Sequence, residues 1–355
     1  MSQSFFPFSD SQPSPEPALR LFSGGPTASA ESTLRECYLA FVLPELDERA
    51  ASTRTEYESA LTHWERLTDD GPVSAINRDA MKAFRRRLIE TPFRLGQAKR
   101  KRSPATVNKI LRTLAATISP LWPADRHNPG GRGFLPFFKW PEPLPRQKKL
   151  PFVFSRKSMS ALYLGCDACQ GTGGNHNHHK TRLYDPFLWR TAIVLALNTG
   201  PRTWDLFSLR WEDVRFEDFK FGSVFYRAQK TGKIQRPPLN AVSRAHLERL
   251  RNLHLDAEFV FPDFRKHKAF YEAWGRICAT AGVRAPFEAF RKTCSTLHDD
   301  VFHGVGAWLT GHSVRGVNAE NYQNPTGRVL RAVYALKNPL EFRRAAKALQ
   351  GDSAS

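Results

Sequence analysis

A tyrosine near the C-terminal end of the sequence stands in a polar setting, the stretch TGHSVRGVNAENYQNP at residues 310–325. This residue, Tyr322, follows a Gly-His pair that contains His312. A tyrosine can fill a core, provide a hydrogen bond or act as a nucleophile. The nucleophilic role requires an electropositive site, because a phenol has a pKa of about 10 and attacks only with phenolate character.

Cationic residues that could provide such a site occur at three places in the second half of the chain. Arg202 follows a helix-ending glycine, Gly200, after one intervening proline, and Asp205 lies one helical turn further on, where it can hold the guanidinium. Lys230 stands at the tip of a predicted hairpin, where a lysine is usually only solvated. Arg291 lies on a helix otherwise lined by apolar side chains, so it needs an anionic partner, internal or external.

The net charge of the chain favours nucleic acid as that anion. The 355 residues include 53 Lys and Arg against 34 Asp and Glu, a formal charge of +19 with a pI near 10. Such a surface attracts polyanions, of which nucleic acid is the commonest. A basic protein that is merely soluble, or that binds acidic lipid or RNA without specificity, is the alternative at this point.

The sequence also limits where the protein works. No apolar run reaches the roughly 20 residues that cross a bilayer. The N-terminus lacks the early positive charges and the apolar segment of a secretory signal. Five cysteines, an odd and sparse number, favour a reducing compartment over a disulfide framework. We therefore expect a cytoplasmic, nucleoid-associated protein without membrane contact.

The first part of the chain predicts a small helical domain. The Pro-, Ser- and Gly-rich residues 1–30 predict a disordered tail. Residues 31–122 then contain four stretches with apolar residues at helical spacing, STLRECYLAFVLPEL, STRTEYESALTHWERL, NRDAMKAFRRRLIE and SPATVNKILRTLAATI. In the last stretch, Ser103 is a natural N-cap and Pro104 a natural first helical residue. We expect an all-α four-helix bundle here.

A basic run, RLGQAKRKRS, precedes the fourth predicted helix and is expected to form a loop. Runs of charge are usually just solvated. This one leads directly into a helix whose polar face carries more basic side chains, which favours contact with phosphates. The residues expected to contact DNA are Lys99, Arg100, Lys101, Arg102, Thr106, Lys109 and Arg112.

The rest of the chain predicts a linker, a second domain and a tail. Residues 123–150 are rich in Pro and Gly and predict a partly extended interdomain linker. A mixed α+β, mainly helical domain with a small antiparallel sheet is expected over 151–340. It opens with the strand-like LPFVFS, contains the apolar helix DPFLWRTAIVLALNTG, and forms a hairpin around Gly232. Residues 341–355 are expected to form a C-terminal tail.

A second possible site lies in CDACQGTGGNHNHHK, residues 166–180. Cys166, Cys169, His176 and His179 could bind zinc tetrahedrally. However, Cys169 and His176 are too close in sequence for an ordinary finger module, and the run is rich in Gly and Asn. A surface loop between two helices is therefore favoured over a metal site.

Five motifs of the second half resemble, in order and spacing, the successive boxes of the tyrosine recombinases, or phage integrases. They are TGPRTWDLFSLRW, KTGK, EAFRKTCSTL, TGHS and NYQNP. The first half is similar to the helical core-binding domain of that family. Each motif alone is weak, but five in series on a basic chain are fairly specific.

The resemblance implies a role for each matching residue. The catalytic set would be Arg202, Lys230, Arg291, His312 and Tyr322, with Tyr322 as the nucleophile and Asp205 steadying the first arginine. The resemblance also implies that the two domains clamp double-stranded DNA in a C shape, and that the protein assembles as a homotetramer on two DNA sites. The segment GRVLRAVYALKNPLEFRRAAKAL would correspond to the family's tail helix, which often packs on a neighbouring protomer.

The chemistry of phosphodiesters agrees with this set. Two guanidiniums can bind the non-bridging oxygens and stabilise the charge that grows in the transition state. A lysine on a mobile hairpin can protonate the departing 5′ oxygen, and a histidine can contact phosphate or help move the tyrosine's proton. The 3′-phosphotyrosine product preserves the energy of the broken bond, so rejoining needs neither ATP nor metal. Since the sequence shows no P-loop pattern and no obvious carboxylate cluster for divalent ions, we expect no cofactor.

Three features depart from the family pattern, of which Pro201, in place of the usual leucine before Arg202, fits the first turn of a helix. Glu288 stands three positions before Arg291, where the family usually has histidine, or sometimes lysine or another polar residue. A carboxylate there repels a phosphodiester unless it is protonated or turned onto Arg291. The spacing from His312 to Tyr322 is also slightly longer than is common. Tyr334 does not compete as the nucleophile, because it lies further along in an apolar stripe typical of packing.

We therefore expect a site-specific DNA strand transferase, and other interpretations stay open. The enzyme is active with Glu288 as an altered proton acceptor, or it is slow. A catalytically inactive DNA-binding protein on the same scaffold is the second interpretation. A type IB-like topoisomerase, with the same chemistry but no site specificity, is the third.

Overall fold

The computed structural model describes residues 28–46, 49, 51–95, 98–146, 150–170, 185–265, 267–312 and 326–351. The chain divides into two compact units, Met1–Lys148 and Lys149–Ser355. Tyr322, His176 and His179 lie outside the described residues, as do residues 1–27 of the predicted tail. None of the described helices combines the length and the apolar character needed to span a membrane.

Three helices of the first unit begin after residues whose side chains cap them. Thr33 and Glu36 form a capping box at the start of α1 (Leu34–Cys37). Asn77 and Ser103 each accept backbone N–H bonds, and they start the third and fourth helices. The first unit contains three longer helices after α1. They are α2 (Ala51–Leu67), α3 (Arg78–Glu90) and α4 (Pro104–Ile118).

One apolar face of each helix is buried in a common core. Trp64 of α2 packs on Phe84 of α3 with ring centroids 5.2 Å apart, and Leu111 and Leu114 of α4 are buried in the same cluster. The helices predicted from the stretches 52–67, 77–90 and 103–118 are thus confirmed, with bounds that differ by one residue at the N-terminal end. The first predicted helix is shorter than expected, because α geometry ends at Cys37 and a π turn follows over Tyr38–Val42.

Two β-hairpins occur where the sequence predicts irregular chain. β1 (Phe93–Leu95) pairs with β2 (Ala98–Arg100), so the basic run is not a simple loop. β3 (Pro123–Asp125) pairs with β4 (Asn128–Arg132). A Cβ on Gly131 would lie 2.5 Å from the backbone of Pro123, so the close approach of these two strands requires glycine there.

The prediction of a linker over 123–150 is wrong up to residue 146, because this segment belongs to the first unit. Leu135 and Phe138 are buried in its core. The side-chain amide of Asn108 exchanges two hydrogen bonds with the backbone of Leu144, at 2.9 and 2.8 Å. The wide and irregular spacing of the apolar residues hides this packing from a search for periodic patterns.

The second unit is mainly helical, and its centre is α6 (Pro186–Thr199). Asp185 caps this helix, whose side chains are buried nearly all round, as the sequence predicts. Three helices pack against it, α5 (Arg156–Leu164), α8 (Ala241–Leu253) and α10 (Ala289–Asp299). The others are α7 (Thr203–Phe207), α9 (His267–Thr280), α11 (Val305–Leu309), α12 (Thr326–Ala335) and α13 (Leu340–Gly351).

Short antiparallel strand pairs complete the second unit. β5 (Val214–Arg215) pairs with β6 (Ser223–Val224), and β7 (Tyr226–Arg227) pairs with β8 (Ile234–Gln235). The predicted β7–β8 hairpin is confirmed, with Gly232 in its turn at a φ of +66°.

The strand predicted for LPFVFS is not formed, because tertiary contacts hold this segment in another way. The N–H of Phe154 donates to the Thr293 hydroxyl at 3.0 Å, and its ring packs on Phe290 at 4.5 Å between centroids.

The predicted tail at 341–355 is helical through Gly351 and is fixed to the second unit. Phe342 is fully buried, with its ring 4.5 Å from that of Tyr163 between centroids. Three buried asparagines hold the chain just before α13. The Asn240 amide donates to the Asn198 oxygen at 2.7 Å, and the Asn198 amide donates to the Asn338 oxygen at 3.0 Å.

Candidate active site

The end of α6 positions Arg202. Gly200 terminates the helix in the left-handed conformation, at a φ of +62°. A Cβ at this position would lie 2.9 Å from the sulfur of Cys294 on α10. Glycine is therefore required both by the backbone angle and by the close packing. The chain turns here and starts α7 with Arg202 as the flanking residue.

Asp205 connects Arg202 to the β7–β8 hairpin. Its carboxylate is buried, and one oxygen accepts the backbone N–H of Gln229 at 2.9 Å. The other oxygen lies 3.7 Å from a terminal nitrogen of Arg202. The carboxylate thus sets the position of the arginine and of the hairpin residue next to Lys230.

Arg291 on α10 has neutral partners. One terminal nitrogen donates to the carbonyl oxygen of Gly200 at 2.6 Å, and the other donates to the carbonyl oxygen of Thr310. Burial lowers the pKa of this guanidinium, and the positive charge of Arg202 lowers it further. The anionic partner that the sequence requires for Arg291 is not among these contacts, which use dipoles only.

His312 lies at the end of α11, beside the two arginines. Its Nδ1 atom is 3.1 Å from the Thr310 hydroxyl. Burial lowers the pKa of His312, and the charges of Arg291 and Arg202 add to this effect. The neutral imidazole is therefore favoured, which is the form able to accept a proton.

The β7–β8 hairpin also packs against the residue that precedes His312. Gly311 has a φ of +62°, and a Cβ there would lie 3.0 Å from the side-chain amide of Gln235 on β8. Gln229 holds one arm of the hairpin to Asp205, and Gln235 packs the other arm against the turn before His312. Lys230 is exposed between them, at the tip.

The carboxylate of Glu288 contacts Tyr271, and no ion pair with Arg291 occurs among the described residues. The Tyr271 hydroxyl donates to a carboxylate oxygen of Glu288 at 2.7 Å. Burial and this hydrogen bond raise the pKa of Tyr271 to about 12. The carboxylate therefore has a hydrogen-bond donor one helical turn before Arg291.

The structure thus brings together Arg202, Asp205, Arg291 and His312, with Lys230 on the hairpin that they anchor. Tyr322, the proposed nucleophile, lies outside the described residues. Sequence reasoning missed Gln235, Thr310 and Tyr271, since each acts through a contact between distant segments that no local pattern reveals. It also missed Tyr226, a buried tyrosine of β7 near Asp205, whose pKa burial raises and which is therefore a poor nucleophile.

In the first unit, the residues predicted to contact DNA fall into two groups. Arg100, Lys101, Thr106 and Arg112 are exposed, whereas the side chain of Lys99 lies outside the described atoms. Arg102 donates to the carbonyl oxygens of Leu88 and Thr91 at 3.2 and 2.7 Å, and so caps the end of α3. Lys109 forms an ion pair with Glu56 at 2.7 Å. These two side chains are not simple phosphate contacts, because each has an internal partner.

Cys166 and Cys169 are buried in the short 3-10 segment Gly165–Gln170. Burial raises the pKa of both thiols, and the Cys166 sulfur donates to the carbonyl oxygen of Leu162 at 3.3 Å. Metal binding requires thiolate, which this environment disfavours. No group of three or more potential metal-ligating side chains occurs within the described parts of the chain.

Comparison with known proteins identifies the fold. No protein-family model and no curated protein sequence matches the chain. Among solved structures, the Tn1549 transposon integrase in complex with transposon right end DNA is 16% identical with a TM-score of 0.56, over 88% of this chain and 99% of that chain. A lambda integrase tetramer bound to a Holliday junction is 17% identical with a TM-score of 0.55, over 83% and 79%.

A third similar structure is the XerH site-specific recombinase bound to difH substrate in a pre-cleavage complex. It is 15% identical with a TM-score of 0.50, over 79% of this chain and 77% of that chain. At these identities the similarity concerns the fold. The chain has the integrase-like fold of these three proteins, as the resemblance of its motifs implies.

Proposed function

We propose that this chain is a tyrosine recombinase, a site-specific DNA strand transferase that cleaves and rejoins phosphodiester bonds through a 3′-phosphotyrosine intermediate. The pair formed by Arg202 and Arg291 gives this proposal its main support. The positive charge of Arg202 lowers the pKa of Arg291, and the buried carboxylate of Asp205 lies 3.7 Å from a terminal nitrogen of Arg202. The excess positive charge favours an anionic ligand, and a phosphodiester fits two guanidiniums.

In the proposed reaction, the Tyr322 oxygen forms a bond to phosphorus while the bond from phosphorus to the 5′ oxygen breaks. Arg202 and Arg291 would bind the non-bridging oxygens and stabilise the added charge. His312, favoured in its neutral form, would accept the tyrosine's proton. Lys230 would give a proton to the departing 5′ oxygen from the exposed tip of the hairpin. Rejoining is the reverse reaction with a new 5′ hydroxyl, and needs no cofactor.

The proposed partner is double-stranded DNA, bound by a tetramer of identical chains on two DNA sites. This rests on the net charge of +19 and on the fold, since the lambda integrase structure is a tetramer on a Holliday junction. Binding should weaken steeply with salt, because each phosphate contact releases counterions.

A covalent trapping experiment tests the proposal. The protein would be mixed with suicide duplexes, nicked next to candidate cleavage positions and drawn from the DNA that flanks its gene. We expect a covalent protein–DNA adduct that Tyr322→Phe abolishes. Tyr334→Phe is the matched control and should retain the adduct, because Tyr334 packs on Phe221 at 5.1 Å between centroids. Adduct formation by Tyr322→Phe at the wild-type rate would overturn the proposed nucleophile.

A DNA-binding protein without strand cleavage is the second candidate, and Glu288 favours it. A carboxylate one turn before Arg291 opposes a phosphodiester, even when Tyr271 donates to it at 2.7 Å. Duplex binding by the wild type without any adduct, together with adduct formation by Glu288→His, would support this candidate over the first.

A further inference from the structure

A concave groove of about 410 Å³ lies between α2 and α4 in the first unit. Lys109 and Arg112 of α4 line it together with Arg146, and Glu56 of α2 contributes a carboxylate. The other lining residues of α4 are small, and include Ala105 and Ala116. Apart from the two charged residues this face of α4 carries only short side chains, and the major groove of DNA, about 12 Å wide, admits a helix.

The carboxylate of Glu56 is not expected in a surface that binds only phosphates, because its negative charge repels them. It lies 2.7 Å from the Lys109 ammonium, and both side chains are about half exposed. The Lys109 ammonium has further N–H donors for a phosphate, but the neighbouring carboxylate repels that phosphate. Arg112, by contrast, has no carboxylate partner among the described residues and is exposed in the same groove. One cation of the groove is therefore neutralised while its neighbour on the next turn is not.

The ion pair is not explained by stability. An exposed Lys–Glu pair contributes at most about 1 kcal/mol, because water and salt screen it and the side chains lose entropy. The pair can thus open or tilt toward a ligand at little cost. A ligand that offers one acceptor and one donor side by side would satisfy both charged groups without separating them.

The edge of a guanine–cytosine base pair in the major groove is such a ligand. Guanine presents the O6 and N7 acceptors and cytosine the N4 donor. The O6 and N4 atoms are themselves hydrogen-bonded, so they lie about 2.9 Å apart. This matches the 2.7 Å between the lysine nitrogen and the glutamate oxygen. Lysine to guanine and glutamate to cytosine are both among the favoured pairings.

We propose that Glu56 and Lys109 together read one guanine–cytosine base pair, and that Arg112 and the exposed basic residues around it bind the flanking phosphates. The proposal rests on the proposed function, since it assigns sequence readout within the same DNA partner. Glu56 would then favour one base pair and also weaken binding to mixed-sequence DNA, because its charge opposes phosphates.

Selection of binding sites from a duplex pool randomised at several positions tests this proposal. The wild type should enrich a guanine–cytosine pair at one position. Glu56→Gln should reduce the preference for cytosine there by about tenfold or more. Its affinity for mixed-sequence duplex should stay the same or rise. Lys109→Gln should lose the preference for guanine at the same position.

Glu58→Gln is the matched control, because Glu58 lies on the same helix but pairs with Arg35 at 2.7 Å and does not line the groove. It should select the same sequence as the wild type. Identical selection by wild type and Glu56→Gln at every position would overturn the inference, and so would an equal loss of affinity for all duplexes. Failure of the wild type to bind any duplex would overturn the proposed function itself, whereas wild-type binding and cleavage with unchanged selection would overturn the inference alone.

Discussion

Arg291 in the second unit and Lys109 in the first show two different ways to hold a cation. Arg291 is partly buried and donates to two carbonyl oxygens, so its charge is oriented by dipoles but not cancelled. Lys109 is exposed and lies against the carboxylate of Glu56, so its charge is largely cancelled. A partly desolvated cation with neutral partners remains available to stabilise an anion, and in a site of low dielectric that stabilisation is large.

Arg102 marks an intermediate case between these two. It also donates to carbonyl oxygens, those of Leu88 and Thr91, but they lie at the C-terminal end of α3. That end of a helix carries a partial negative charge, which compensates the guanidinium locally. A neutral hydrogen-bond partner therefore does not by itself leave a cation available to bind an anion. The electrostatic field around that partner, here the negative end of the helix dipole, matters as well.

The largest expected effect comes from removing the dipole-held cation. Arg291→Ala should slow cleavage of a suicide duplex by about 100- to 1,000-fold, because one donor to a transition-state oxygen is worth about 3–4 kcal/mol. Its binding of duplex DNA should change much less. Arg284→Ala, at an exposed position on the segment before α10, is the control. A loss of less than about threefold in Arg291→Ala would show that the site does not use this charge.

Close packing around Gly200, in the loop that carries Arg202, can be tested by comparison with Gly232 of the β7–β8 turn. The two glycines have similar positive φ angles but different surroundings. Gly200→Ala should destabilise the protein by about 2–4 kcal/mol, because it has both a φ of +62° and an atom of Cys294 at 2.9 Å from the new Cβ. Gly232→Ala should lose only about 1 kcal/mol, since its φ is +66° but nothing lies within 4 Å. Denaturant unfolding measures both, and equal losses would contradict the packing argument.

The positive field of the site should be visible in the titration of His312. Since burial and the two arginines lower its pKa, removal of one arginine should raise that pKa. Cleavage that needs the neutral imidazole should therefore fall as the pH drops through the lowered pKa, below the ordinary value of about 6.5. NMR titration of the histidine side chains in wild type and Arg291→Gln measures the shift. A pKa that falls or stays constant would contradict it.

The smallest effect is expected at the surface of the first unit. Arg112→Ala should reduce the slope of log affinity against log salt by about one, the value for one lost phosphate contact. Lys109→Ala should reduce it by clearly less, because Glu56 already neutralises that lysine. Fluorescence anisotropy with one mixed-sequence duplex at several salt concentrations separates the two. Equal reductions would remove the contrast between these cations.

Local patterns in the sequence predict the elements of the structure better than its contacts. The cap at Ser103, the helix end at Gly200 and the turn at Gly232 could be predicted because each acts within a few residues. The burial of Leu135 and Phe138 could not, since irregular chain that packs on a core has no period. The strand predicted from LPFVFS failed for a similar reason, because the backbone of Phe154 has a side chain, Thr293, as its partner.

The site could be predicted in its residue types but not in its connections. The order of the motifs gave Arg202, Arg291 and His312, and the spacing gave the contact of Arg202 with Asp205. The carbonyl partners of Arg291, the packing of Gln235 on Gly311 and the donor to Glu288 join segments far apart in sequence. Such contacts depend on tertiary packing, which a single sequence does not reveal.

The three buried asparagines determine how α13 can detach from the rest of the second unit. Detachment of α13 would remove Asn338 from the Asn198 amide, and a buried amide without a partner costs about 1–3 kcal/mol until water reaches it. Breaking the hydrogen bond between Asn338 and Asn198 is therefore the step of detachment that costs most free energy. Fraying of α13 from Gly351 inward leaves this bond intact and does not reduce that cost. Release of this helix should follow an all-or-none course, and its rate should depend on how readily solvent enters beside α6.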